Sequence, residues 1–339
     1  MKYRPYKIDE QRALVVFPKL LEAYYNRHGI FAQDNLCPSY NLPGNLESRL
    51  EQVNYHLFSI MGDSRVKSEV IYEHFKMLHE KDKRYFNPEF LASQKLPKLP
   101  HPKTKNRDLY IEDGTLEYIL GLEVGVPSPV RSAIYMIKTA RTLMEKYNSN
   151  PLNIFNDTRD VRIAWKRLQN EIDGYGRHLS SLFLTFLLKH DLVSFDNTNA
   201  LPPKIDFHDV TLCFAFGVLK PKFKNPKRGI RRDRISKNLQ DFLSYFAQKH
   251  NHNILHLDEA LWILGSYVCS KFDWKECWNN CGVKEYCHTK PHSDYKKLKQ
   301  SGVIIERDYN IYPLVESRVK NVGDLQDLFI PNFQDRVLL

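Results

Sequence analysis

The sequence predicts an all-α protein, and three observations indicate that class. Apolar residues recur at helical spacing along most of the chain, and segments with the alternating pattern of strands are few. Hydrophobic residues make up 42% of the 339 residues, which is enough for a packed core and argues against global disorder. A chain of this length can form two domains or one large domain, and no internal repeat is visible.

Three helical segments are predicted in the first quarter of the chain. The first covers about residues 9 to 26, and the segment CPSYNLPGN (37–45) then interrupts the helical pattern because it contains Pro and Gly. Helical spacing resumes at Leu46 and again over residues 70–78. Residues 95–106, KLPKLPHPKTKN, predict an exposed linker, since proline interrupts helices and lysine resists burial.

The rest of the chain continues the helical pattern. A short turn, DGYGRH (173–178), separates two helical segments, and the second of them is strongly apolar. A loop-like stretch then leads to LPPKIDFHDV, where another helix is expected to begin. The remaining helical signals lie at about residues 116–122, 132–147, 161–172, 238–250 and 257–269.

The charge balance favours a polyanionic partner. Fifty Lys and Arg against forty Asp and Glu give a net charge of +10. Residues 220–237 contain nine Lys or Arg residues, including Arg231 and Arg232, and one acidic residue. Such a run is typical of a solvated loop, and it is also a candidate nucleic-acid contact.

The sequence predicts a protein that is neither secreted nor inserted in a membrane. Its longest apolar runs fall short of the roughly 18–20 residues of a transmembrane helix. The N-terminus, MKYRPYKIDEQR, lacks the apolar core of a secretion signal. We therefore expect a soluble intracellular protein, in the cytoplasm (nucleoid) or the nucleus.

Four cysteines near the C-terminal end predict a metal site. They are spaced C-x7-C-x3-C-x5-C, and grouped thiolates suit Zn²⁺ or an iron–sulfur cluster. Zinc ribbons usually carry two tight C-x2-C pairs, whereas one compact loop after an apolar helix better suits a cubane. His288 and His292 keep zinc as the alternative. The predicted [4Fe-4S] ligands are Cys269, Cys277, Cys281 and Cys287.

Two further features carry candidate chemistry. Gly174 and Gly176 flank Tyr175 in a turn between helical segments, where glycines permit close backbone approach and helix amides can bind a phosphate. Asp206 begins the helix IDFHDV, where an aspartate commonly acts as an N-cap. Asp209 is a rival for either role of Asp206, as cap or as functional carboxylate.

These features, taken in order, resemble the helix-hairpin-helix/Gly-Pro-Asp DNA glycosylase superfamily, most closely its endonuclease III-like iron–sulfur branch. That family has a hairpin L-P-G-V-G-[RK]-x-[ST]-A, an apolar helix, V-D-x-H, and a helix ending in the first of four cysteines. This chain has IDGYGRHLS (172–180), the apolar residues 182–188, IDFH (205–208) and DEALWILGSYVCSKFDWKECWNNCGVKEYC (258–287). The resemblance covers most of residues 46–288.

The resemblance implies a two-domain helical glycosylase fold with a helix-hairpin-helix and a [4Fe-4S] cluster loop. Residues 1–45 would be an N-terminal helix and connection that pack with the cluster domain. Residues 46–204 would form a helical barrel domain containing the hairpin 172–180. Residues 205–289 would form the cluster domain, with Asp206 at the domain junction, and residues 290–339 a C-terminal extension without an assigned role.

The resemblance also implies the activity. Asp206 would be the catalytic carboxylate for hydrolysis of the N-glycosidic bond of a flipped damaged, mismatched or modified base in double-stranded DNA. The protein is expected to act as a monomer. The cluster would be structural and electrostatic. The expected DNA contacts are Gly174, Tyr175, Gly176 and Arg177 of the hairpin, Lys271 and Lys275 of the cluster loop, Arg231 and Arg232, and Met61 as an apolar wedge.

Several departures from the family pattern bear on the reaction. The first two cysteine intervals are each one residue longer than the usual x6/x2/x5, and Asp173 replaces the hairpin proline. His178 occupies the position of the lysine that forms a Schiff base in bifunctional members, and imidazole has no primary amine. The expected enzyme is therefore monofunctional, without efficient AP-lyase activity. Lys204 is a weaker candidate for a substitute amine. The resemblance makes His178 the second catalytic candidate beside Asp206, near the sugar, where it would hold the attacking water or contact a phosphate.

Two other functions fit the same resemblance. One is a non-catalytic or structure-specific nucleic-acid-binding member of the fold, and the other is a hydrolase for a modified nucleoside or RNA base. The presence of both Asp206 and the hairpin favours the glycosylase over the non-catalytic protein.

Overall fold

The structure is a computed structural model that describes residues 6–63, 68–97, 112–221, 230–269, 279–287 and 304–305. It is mostly helical (68% helical), which confirms the all-α class predicted from the sequence. The basic segment 222–229 and most of the predicted linker 95–106 lie outside these residues. Among the described helices, none is long and apolar enough to cross a membrane.

The helices follow the apolar periodicity of the sequence closely. Within the described ranges, the α-helices are α1 (Glu10–Tyr25), α2 (Arg49–Ser59), α3 (Ser68–Lys81), α4 (Pro88–Ser93), α5 (Leu116–Tyr118), α6 (Pro129–Tyr147), α7 (Val161–Glu171), α8 (Arg177–Lys189), α9 (Phe207–Ala215), α10 (Arg232–Lys249) and α11 (Ile254–Ile263). The short strands are β1 (Tyr6–Ile8), β2 (Leu219–Pro221), β3 (Ile230–Arg231) and β4 (Ile304–Ile305).

The chain divides into two compact units. Of the described residues, those within 6–40, 158–166 and 177–305 form the first unit, and those within 41–157 and 167–176 form the second. The domain limits expected from the sequence stay a prediction.

The first unit is built around α1, α9, α10 and α11. Asp9 caps α1 by accepting a hydrogen bond from the Arg12 amide at 3.1 Å, and the buried face of the helix packs on α11. Phe17 of α1 meets Phe246 of α10 edge to face, with ring centroids 5.3 Å apart. β1 pairs antiparallel with β2, and β3 pairs parallel with β4. Helices thus supply most of the core of this unit, and the strand residues Tyr6 and Leu219 are also buried in it.

The second unit packs α4 and α6 together beside α2 and α3. α6 begins with Pro129, whose fixed φ suits the first helical turn, and ends at Asn148 in the left-handed conformation. The large side chains Tyr55, Tyr72 and Phe75 are fully buried. This unit carries the turn that precedes α8.

A change of helical pitch leads to the predicted cysteine segment. α11 continues into a π-helical turn, Leu264–Val268, that ends at Cys269. At Gly265, an added Cβ atom would lie 2.8 Å from the Cβ atom of His208, so only glycine allows this approach to α9. The absence of a side chain at residue 265 therefore brings α11 against the start of α9.

Candidate functional site in the first unit

Asp206 is the N-cap of α9. Its Oδ1 atom accepts the amide of His208 at 2.7 Å, while its own amide donates to Oδ2 of Asp209 at 2.8 Å. This reciprocal arrangement is a capping box in which Asp209 takes the place usually held by Glu or Gln. Asp206 and Asp209 were expected to compete for the capping role, and here both contribute to it.

Lys204 lies beside Asp206. Its Nζ atom is 3.6 Å from Oδ2 of Asp206 and 5.4 Å from the ring centroid of Trp262 on α11. From the sequence, Lys204 is only a weaker candidate for a functional group, because residues two apart in a chain need not lie on the same face. The preceding residues Pro202 and Pro203 disfavour a helix, and Asp206 has extended backbone angles. In extended chain, residues two apart share a face, and this signal could have identified the pair.

The surroundings keep Asp206 ionised. Burial by itself raises the pKa of this carboxyl, but the positive charges of Lys204, His208 and His178 outweigh that effect, together with the His208 amide. The net result lowers the pKa of Asp206 to about 2. The carboxylate is therefore present over the whole physiological range.

The pKa values of two neighbouring carboxyls, Asp209 and Asp258, are raised rather than lowered. Burial, followed by repulsion from Asp206 and Asp258, raises the pKa of Asp209 well above its usual range. Burial is also the main cause that raises the pKa of Asp258 to about 7. Environments that push the pKa values of neighbouring acids apart are typical of functional sites and also of structural charge networks. Asp258 was missed in the sequence because it begins an otherwise apolar helical run, DEALWILG.

His178 and Arg177 lie in the first turn of α8. His178 is half-buried, and its charge is one of those that lower the pKa of Asp206. The structure thus places the two predicted catalytic side chains within electrostatic reach of each other. The Arg177 guanidinium donates to Oε1 of Gln240 at 2.6 Å and to the carboxylate of Asp241, and it lies over the Trp165 ring. Arg177 therefore links α8 to α10.

The predicted hairpin belongs to the second unit as far as Gly176. Gly174 has a φ of +82°, and an added Cβ atom would lie 2.6 Å from the ring of Tyr135. Gly176 has open space where a side chain would be, and the structure exposes both glycines. The backbone of the turn is thus accessible, as gripping a phosphate would require.

Two side chains that were expected to contact DNA are core residues in the second unit. Tyr175 is 3% exposed, and its hydroxyl donates to the carbonyl oxygen of Leu57 at 2.9 Å. Met61, the expected wedge, is 5% exposed within a 3₁₀ turn, Ile60–Gly62. Because both side chains lie in the core, contact with DNA would require a rearrangement, and the two expected contacts stay predictions.

Three of the four predicted cluster ligands are described. Cys269 and Cys281 are buried, and Cys287 is partly exposed after the 3₁₀ turn Lys284–Tyr286. Cys277, Lys271 and Lys275 lie outside the described residues. Arg231 and Arg232 are described only as backbone, in β3 and at the start of α10. Thiol side chains as a donor set fit an iron–sulfur cluster, and the two buried ones would shield it from water.

No known protein-family model matches the chain, and a search of curated proteins finds no match.

Proposed function

We propose that this protein is a DNA glycosylase of the helix-hairpin-helix/Gly-Pro-Asp type, hydrolysing the N-glycosidic bond of a flipped damaged, mismatched or modified base in double-stranded DNA. The observation that carries the proposal is Asp206. It is a largely buried carboxylate, 18% exposed, with a strongly lowered pKa, at the start of α9. That is the position the resemblance assigns to the catalytic aspartate.

The pKa of Asp206 favours an electrostatic role in the reaction. As the bond between C1′ and the base breaks, its electron pair leaves with the base and positive charge develops on the sugar. A fixed carboxylate in a poorly solvated site stabilises that charge. A group with a pKa of about 2 is a weak base, so it does not readily take the proton of the attacking water.

The proton of the attacking water therefore needs a different acceptor. The water oxygen forms the new bond to C1′ while the bond to the base breaks, and we assign the released proton to His178 in its neutral form, which passes a proton on to the base that leaves with the electron pair. The products are the free base and an abasic site. Lys204 acts as a charge partner of Asp206 in this scheme, and its ion-paired ammonium has no lone pair for attack. The enzyme is thus proposed to be monofunctional.

The remaining features are assigned to binding and to scaffolding. The exposed amides of Gly174 and Gly176 would grip the DNA backbone, supported by the basic residues Arg231 and Arg232. Cys269, Cys277, Cys281 and Cys287 would hold a [4Fe-4S] cluster. When bound, the cluster would supply structural support for the loop that bears the basic residues Lys271 and Lys275, and hydrolysis of the base requires no redox step.

The test is an oligonucleotide panel of damaged, mismatched and modified bases, with alkali treatment to reveal abasic sites. Asp206→Asn retains a capping side chain but removes the charge, so base release is expected to fall by about a hundredfold or more. Asp9→Asn is the matched control, because it changes the capping aspartate of α1 in the same way. Unchanged base release by Asp206→Asn would refute the catalytic assignment.

Two further readouts examine the finer parts of the proposal. Strand cleavage without alkali, together with a protein–DNA adduct trapped by borohydride, would contradict monofunctional activity. Binding that barely weakens as salt rises would contradict a grip on the phosphate backbone. DNA binding without base release from any substrate would favour the non-catalytic alternative.

A further inference from the structure

α11 carries two adjacent buried carboxyls, Asp258 and Glu259, and each interacts with a different buried lysine. Glu259 pairs with Lys189 at 2.7 Å and accepts the hydroxyl of Tyr24 at 2.9 Å. Asp258 accepts a hydrogen bond from the backbone amide of Lys204. Asn253 is the N-cap of α11, so Asp258 is not required to cap the helix. A buried aspartate inside a helix is costly and calls for a specific role.

Lys204 is held by α11 at two points. Asp258 binds its backbone amide, and the ring of Trp262, one helical turn later, lies 5.4 Å from its ammonium. The same ammonium is 3.6 Å from the carboxylate of Asp206. The second oxygen of Asp258, Oδ1, is buried and has no hydrogen-bond partner among the described residues. One carboxylate oxygen of Asp258 therefore has no hydrogen-bond donor among the described residues, although the same side chain holds the backbone of Lys204 in place.

The charges around Asp258 make its protonation state responsive near neutral pH. Burial, the largest effect, and the negative charge of Asp206 raise its pKa, while Lys204 and Lys189 from neighbouring segments lower it, with a net value of about 7. Asp209 of α9 also interacts with Asp258, and burial together with the negative charges of Asp206 and Asp258 raises its own pKa. Glu259 is adjacent in sequence and is neutralised by Lys189.

We propose that Asp258 is a positioning residue that holds Lys204 beside Asp206 and, by gaining or losing its proton, sets how far the positive charge of Lys204 is committed to Asp206. The proposal rests on the proposed function. When Asp258 is neutral, Lys204 compensates Asp206 alone. When Asp258 is ionised, its negative charge also acts on the ammonium of Lys204, so less of that positive charge offsets Asp206 and more negative charge is available for the developing cation on the sugar.

The expected consequence is a step in the pH profile of base release. In single-turnover experiments on wild-type protein, the rate should rise by about tenfold through a midpoint near the pKa of Asp258, the size of effect one buried charge exerts at short range. Asp258→Asn keeps an acceptor for the Lys204 amide but cannot ionise, so it should stay at the low-pH rate throughout. Asp113→Asn, which changes an exposed aspartate, is the control and should retain the step.

A stability measurement separates failure of this inference from failure of the proposed function. Burial raises the pKa of Asp258 in the folded protein above the ordinary aspartate value of 3.8, so ionisation costs stability as pH rises from about 4 to 7. The unfolding free energy of wild type should fall over that range relative to Asp258→Asn. In Lys204→Met, the midpoint of that fall should move to higher pH, because the ammonium that lowers the pKa of Asp258 is gone.

The outcomes are distinct. A pH step that persists in Asp258→Asn, or a stability difference that does not vary with pH, overturns the inference. Failure of wild type to release any base overturns the proposed function, and the stability of Asp258→Asn and Lys204→Met then decides whether Asp258 responds to Lys204. Loss of the step together with the pH-dependent stability difference supports the inference.

Discussion

Asp206 is both a helix cap and a charge, and two substitutions at this position separate those properties. Asn accepts the same amide hydrogen bond as Asp at a helix N-terminus, whereas Ala does not. Both substitutions remove the charge that faces Lys204. Asp206→Ala should therefore be less stable than Asp206→Asn by about 0.5–2 kcal/mol, measured by urea unfolding, although both lose base release. Equal stability of the two variants would show that the cap contributes little.

Gly174 offers a second prediction at single-residue resolution. Gly174 and Gly114 both have positive φ, but an added Cβ atom at residue 174 would strike the Tyr135 ring at 2.6 Å, while residue 114 has open space. Gly114→Ala should cost about 1 kcal/mol of unfolding free energy from backbone strain alone. Gly174→Ala should cost clearly more, by about 1–3 kcal/mol of overpacking. Similar losses for both would indicate that the Tyr135 ring moves aside freely.

The predictability of the candidate site differs from residue to residue. Asp206 could be identified because a local motif, IDFH, places an aspartate at a helix start. The pairing of Lys204 with Asp206 follows from two prolines that keep the chain extended, and this signal is present in the local sequence. Asp258 could not be identified, because its burial depends on packing of α11 against residues more than fifty positions earlier. Tyr175 looked like an exposed hairpin residue, yet long-range packing buries it.

At the scale of elements, a buried ion pair joins α11 to α8, and the stability of the protein should be sensitive to the loss of either partner. The side chains of Lys189 and Glu259 are 7% and 6% exposed and lie 2.7 Å apart. Removing one partner leaves an uncompensated buried charge, so Glu259→Ala should cost about 3–5 kcal/mol. The control, Glu22→Ala, breaks an exposed pair with Lys19 on α1 and should cost less than about 1 kcal/mol. Comparable losses in thermal or urea unfolding would contradict the burial of the first pair.

The helices themselves could largely be predicted, but some of their details could not. α1 and α6 have apolar residues at helical spacing and end within a few residues of the predicted limits. The π-helical turns at Ile119–Glu123 and Leu264–Val268 have the same apolar character as α-helix, so spacing alone does not reveal them. The pairing of β1 with β2 joins segments about 210 residues apart and has no local signal.

At the scale of the whole molecule, the cysteines connect the fold to its proposed cofactor. The π-helical turn after α11 ends at Cys269, so the packing of α11 on α1 also fixes the start of the cysteine segment. Cys281 is buried beside Gly282, where an added Cβ atom would lie 2.8 Å from Ala23 of α1. A cluster held at these positions would therefore be coupled to α1 and α11 together, and losing it should reduce the stability of the first unit.

Iron and sulfide analysis of the purified protein, with two cysteine variants, tests this coupling. Wild type should be brown and contain about four irons and four sulfides per chain. Cys281→Ala should lose iron, sulfide and visible absorption, and its thermal unfolding midpoint should fall. The control is Cys213→Ala, because Cys213 is fully buried in α9, where burial raises the pKa of its thiol and keeps it protonated. That variant should keep its iron despite some loss of packing, so a colourless wild type that binds one zinc, or equal iron in both variants, would remove the cluster from the proposal.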